Sequence, residues 1–123
     1  MKVLACAARW LKPQGRLVVI VPNALSLHRR LAVAMGLTRA ADELGESDVR
    51  LGHRWVFTIA RMEANLAKAG LRIVRQAGWL TKPLPQAMMT SFSDALLEGL
   101  MKLSDELPAE HACFLAFECR KAR

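Results

Sequence analysis

The chain has 123 residues, with 18 lysines and arginines against 11 aspartates and glutamates, a formal charge of +7. That length suits one small domain with a single core and excludes two. An apolar share of 53% with 24% charged residues excludes a disordered chain, because enough apolar surface exists to offset chain entropy.

The basic residues are scattered, and their main concentrations are Arg29–Arg30 and Arg120–Lys121–Ala122–Arg123. No basic stripe is interleaved with aromatics, so the excess reads as a solvated surface rather than a nucleic-acid face. Cys6, Cys113 and Cys119 form no C-x-x-C pair, and of the histidines only His111, two residues before Cys113, is near one of them; His28 and His53 are far away in sequence. Reduced, buried thiols of a cytoplasmic protein are the plain reading. The apolar start, from Met1 to Ala8, is broken by Arg9 and is too short for a secretory leader. No run approaches the length of a membrane span.

In chain order, Val3, Leu4, Ala7, Ala8 and Leu11 share one helical face. Pro13 and Gly15 stop that helix. Arg16 to Val21 is an unbroken β-branched run closed by Pro22 and Asn23. A strand apolar on both faces predicts a sheet covered by helices, in a parallel α/β arrangement. Ala24 to Met35 suits a short helix ended near Gly36, and Leu37 to His53 reads as a loop with one short helix. Thr58 is placed to cap a helix through Ala69, with Gly70 as its left-handed stop. Leu71 to Arg75 alternates as a strand with one wet face. Lys82-Pro83-Leu84-Pro85 is a rigid linker. Gln86 to Leu103 carries an amphipathic stripe of Met89, Phe92, Leu96, Leu97 and Leu100, with Ser91 or Ser93 as an internal start. Cys113 to Cys119 is a last apolar strand.

The stretch from Arg9 to Asn23, in which Trp10-Leu11-Lys12-Pro13-Gln14-Gly15 leads into the apolar run, resembles a segment of class I (Rossmann-like) S-adenosylmethionine-dependent methyltransferases. There a helix ends in a Leu-Lys-Pro-Gly-Gly turn and feeds the fifth strand; here Gln14 replaces the first glycine. Phe57-Thr58 with the helix to Gly70, and then Leu71 to Val74, look like that family's next helix and sixth strand. Cys113 to Cys119 resembles the seventh strand, which in the family runs antiparallel between the fifth and sixth. The likeness implies an α/β fold that is a three-stranded remnant with flanking helices, residues 1–123 being a single domain. It also implies S-adenosylmethionine as cofactor of the complete enzyme. The family's Gly-rich loop and ribose-binding carboxylate belong to its first two strands, which have no counterpart here. No G-x-G occurs in the chain, so the chain alone is expected not to hold the cofactor.

The resemblance places the acceptor side after the fourth and fifth strands, which singles out Asn23, His28, His53 and Arg54 for substrate binding. Each has a structural alternative. Asn23 can turn the chain or cap a helix, and His28 can be an exposed helix residue. His53 and Arg54 either anchor an acidic acceptor or tether their loop. His111 beside Glu110 reads as structural, and Met88, Met89 and Trp79 as packing residues.

Two functions follow. One is the C-terminal fragment or subunit of a methyltransferase acting on a small molecule. The other is a non-catalytic module whose strand at Leu17 to Val21 has an unpaired edge. Such an edge invites a homodimer or an N-terminal partner chain.

Overall fold

The computed structural model describes residues 2–122. Three strands, β1 (Leu17–Pro22), β2 (Leu71–Trp79) and β3 (Phe114–Lys121), form one open sheet in the order β1-β3-β2. The last strand runs antiparallel to both neighbours and lies between them. Five helices accompany the sheet: α1 (Lys2–Trp10), α2 (Leu27–Ala34), α3 (Glu46–Arg50), α4 (Ile59–Lys68) and α5 (Asp94–Ser104). One-turn 3₁₀ segments span Gln86–Met88 and Ala109–His111. The fold is therefore mixed α/β, with antiparallel strand pairs rather than the parallel pairs expected from the apolar run.

Pleating sends Leu17, Val19 and Val21 to one face, opposite Cys119, Phe117 and Leu115 of β3. Ala8 of α1 and Met62 and Leu66 of α4 join Leu71 and the β3 residues in the core, where Leu66, Leu115 and Phe117 are fully buried. Each such side chain contributes about 1.5–3 kcal/mol by leaving water. The i, i+4 spacing of Met62 and Leu66 puts both on the core side of α4. That helix starts as expected: Thr58 Oγ1 accepts from the Arg61 N–H at 3.2 Å. It stops at Gly70, whose φ of 73° is open to glycine at little cost.

The opposite face differs from expectation. Val18 is 62% exposed and Ile20 56%, so β1 is covered on one face only, and its outer edge has no strand partner among the described residues. β-branched residues specify the extended backbone; coverage depends on elements elsewhere in the chain.

Two further boundaries depart from the reading. β2 runs four residues past Arg75, through a bulge between Ile73 and Arg75 that leaves Val74 without a partner in the ladder. The extra residue breaks the alternation from which strands are read. The helix does not start at Gln86 but at Asp94, after Ser93, one of the two internal starts expected, whose Oγ accepts from the Leu96 N–H at 3.3 Å. No residue of α5 is buried, and Leu96 and Leu97 are exposed. Periodicity supplies an apolar stripe but not its cover. Met89, in the turn before α5, is buried. No helix among the described residues is long and apolar enough to cross a membrane.

Candidate functional site

The carboxyl ends of β1 and β2 and the start of β3 meet at one end of the sheet, the end at which open α/β sheets usually bind ligands. Asn23 fixes the exit from β1. Its Nδ2 donates to the carbonyls of Glu110 and Ala112, both at 2.8 Å, and its Oδ1 accepts from the Leu25 N–H at 2.9 Å. The turn through Ser26 starts α2 and brings His28 and Arg29 toward β3. At the end of β2, Leu80 adopts φ 60°, a left-handed conformation that costs a side-chain-bearing residue about 1–2 kcal/mol. Its carbonyl accepts from the Cys113 N–H at 2.7 Å. This reversal leads directly into Thr81 and Lys82.

A cavity of about 660 Å³ lies here, lined among others by Pro22, His28, Arg29, Lys82, Cys113 and Phe114. The loop from Thr38 to His53, with α3 in it, forms much of the remaining lining. Arg29 and Asp48 brace that loop. Arg29 donates from Nη1 to the Glu43 carbonyl at 2.9 Å and from Nη2 to the Asp48 carboxylate. Asp48 also accepts from His53 Nδ1 at 3.2 Å and from the Gly45 N–H at 3.1 Å. One carboxylate thus ties together α2, the N-terminus of α3 and His53.

Burial pushes the Asp48 carboxyl up, but the hydrogen bonds from His53, Arg29 and Gly45 outweigh it and hold the group below its ordinary 3.8. His28 is lowered from 6.5 to about 4, first by burial and then by the charges of Lys82 and Arg29. Its Nδ1 lies 3.6 Å from Cys113 Sγ. Burial pushes the Cys113 thiol up, against the smaller pull of the Lys82 N–H and of the Lys82 and Arg29 charges. The pair is therefore a neutral thiol beside a neutral imidazole at neutral pH, not a thiolate–imidazolium pair primed for nucleophilic attack. His28 offers hydrogen bonding and a weakly basic nitrogen.

Of the four residues singled out from the sequence, His28 and His53 both line the cavity. Asn23 is buried, and its side-chain donors and acceptor are engaged within the chain. Arg54 is exposed and is not among the lining residues. Beside it, exposed Trp55 receives the Arg61 guanidinium at 5.1 Å from its ring centre. Trp79 is also exposed and packs its ring 5.6 Å from that of Phe114. Arg29, Asp48, Lys82 and Cys113 were not anticipated. Arg29 stood out only as a member of a basic pair and Asp48 only as part of a loop, and it is the fold that joins them.

At the other end of the sheet, a shallow hollow of about 710 Å³ is lined by Lys2, Arg9, Lys68 and Lys121 among others. Arg9 and Lys68 lie in the last turns of α1 and α4, where cations offset the unpaired helix carbonyls. Lys121 Nζ donates to the Arg9 carbonyl at 3.5 Å. Helix-end stabilisation accounts for Arg9, Lys68 and Lys121, but not for Lys2, which opens α1.

The residues at the cavity do not fit S-adenosylmethionine. A ribose diol calls for a free carboxylate at a strand end, whereas Asp48 is bound by Arg29 and His53, and Asn23 is fully engaged. The chain matches no protein-family model and no curated protein.

Proposed function

We propose that this chain is the C-terminal, acceptor-side half of an S-adenosylmethionine-dependent methyltransferase domain, without activity on its own. The observation that carries this reading is the sheet order β1-β3-β2 with the last strand antiparallel in the middle. It is the arrangement that the resemblance implies for the fifth, seventh and sixth strands. On this reading the outer edge of β1, bridged only at its C-terminal end by Phe57, is where a fourth strand would pair, and the cavity is on the acceptor side. Methyl transfer depends chiefly on holding acceptor and sulfonium in line, so this half would contribute positioning by His28 and the loop braced by Asp48. The site suits a small molecule in the cytoplasm.

Calorimetric titration of the folded chain with S-adenosylmethionine tests the reading. No binding is expected from the chain alone, with micromolar binding and methyl transfer on adding a chain that supplies a glycine-rich N-terminal half. Micromolar binding by the isolated monomer would overturn the half-domain assignment.

A second reading is favoured by the exposure of Val18 and Ile20 beside that open edge. A non-catalytic module could pair through β1 with a second copy of itself. Light scattering decides it: a dimer that dissociates when Ile20, whose N–H faces the outer edge rather than β3, is replaced by proline, which blocks ladder hydrogen bonds, supports pairing. A wild-type monomer rejects it.

A further inference from the structure

The cavity contains a cation without a counter-ion. Lys82 lines it, is half-buried, and has no ion pair with a carboxylate among the described residues. Its ammonium has only a long contact, 3.5 Å, with Gln86 Oε1. Arg29, the other guarded cation, is matched by Asp48, which also takes His53. Glu43, Glu46 and Arg50 contribute to the lining but are exposed, so solvent screens them. An ammonium at a cavity wall with no carboxylate partner is free to meet an anion by a charge-assisted hydrogen bond. Next to it stand an imidazole and a thiol that carry no charge; the Asp48 carboxylate, whose charge reaches His28, is taken by Arg29 and His53.

We propose that the cavity binds a ligand through one anionic group, a carboxylate or a phosphate ester, seated on the Lys82 ammonium beside His28 and Cys113. Bound there, an anion offsets the Lys82 charge that helps to keep His28 unprotonated, and the imidazole can then donate a second hydrogen bond to it. Carboxylate and phosphate share this chemistry: oxygens that accept from an ammonium and an N–H donor. Cys113 limits the depth of the seat, since its thiol is buried and is held by the Lys82 N–H. Identifying this ligand with the methyl acceptor rests on the proposed function; the anion seat itself does not.

The test is a nuclear magnetic resonance titration of the isotopically labelled full chain with inorganic phosphate, and separately with acetate, at fixed ionic strength. Saturable changes are expected at the His28 ring and Cys113, with the His28 pKa rising by roughly one unit as the anion settles beside it. Lys82→Gln should weaken the response at least tenfold while amide signals away from the cavity stay in place. Saturation by phosphate alone assigns a phosphate ester; saturation by acetate, alone or with phosphate, assigns a carboxylate. No saturable change at His28 with either anion overturns the proposal. So does a response undiminished in Lys82→Gln, or one confined to Lys2, Arg9 and Lys68. Anion binding without cofactor binding by the complemented protein would remove the transferase reading and leave the seat. Methyl transfer with a cavity indifferent to both anions would do the reverse.

Discussion

Asn23 Nδ2 and the Ala112 carbonyl are 2.8 Å apart across 89 residues of sequence, and this buried bond locks the exit of β1 to the approach of β3. Alanine at position 23 strands the Leu25 N–H and the carbonyls of Glu110 and Ala112, each costly when buried. Asn23→Ala should therefore lower stability by about 2–4 kcal/mol, measured by urea denaturation. Asn23→Asp should cost at least as much at neutral pH, because a carboxylate would face two carbonyls. It should recover in part in acid, where protonation restores one donor.

The brace between Arg29 and Asp48 should matter more for the cavity than for the sheet. Asp48→Asn keeps the size of the side chain but loses the charge. Its expected cost is about 1–3 kcal/mol, since the pair is only partly desolvated. Hydrogen exchange should rise between Gly45 and His53 while the amides of β3 stay protected. Equal loosening of the sheet would show that the brace is part of the global fold.

Acid should weaken the fold in two stages. His28 has a folded value of about 4 against an ordinary 6.5, so between these the unfolded chain takes up a proton that the folded one refuses. Stability is then undiminished above pH 6.5 and falls as pH drops toward 4. Asp48 is held below 3.8, so its contribution is present above that pH and lost as pH falls through its folded value. Urea midpoints at pH 7 and pH 5 should differ in the wild type, and His28→Gln should shrink that difference.

Gly78 and Gly70 call for glycine for different reasons. A Cβ at Gly78 would lie 2.7 Å from both Ala109 Cα and Ala112 Cβ, so Gly78→Ala must push β2 away from the segment before β3. We expect a loss of about 1–3 kcal/mol. Gly70 has open space but a φ of 73°, and Gly70→Ala should cost only about 1 kcal/mol. Thermal melts of the two variants give the order.

Elements set by local chemistry were legible in the sequence: the cap at Thr58, the stop at Gly70 and the β-branched run of β1. The middle place of β3 came from the family likeness, since neither periodicity nor composition orders strands in a sheet. Features made by distant segments were not legible. Val74 is left unpaired because β3 passes it over, which no pattern within β2 announces. Leu96 and Leu97 share a stripe but have no cover. At the site, the histidines were found by residue type, while Lys82 drew notice only as part of a proline-rich linker. Its role depends on the reversal at Leu80, a left-handed leucine that propensity would not choose. The turn at Asn23 follows from its residue type, whereas its hydrogen bonds to Glu110 and Ala112 across the chain do not.

The strand that joins the sheet is the last of the three to be made. β1 and β2 touch β3 but not each other, and β1 meets its partner only after some ninety residues have intervened. While the ribosome is still making the segment after β2, neither strand has its neighbour, and Val19 and Ile73 remain in water or against a chaperone. Sheet formation then resembles closing a zip from its final tooth: slow for so small a chain, because both pairings must close long loops, the one to β1 longest of all. Until residues 114–121 are made both neighbours stay unpaired, and in that interval aggregation competes hardest.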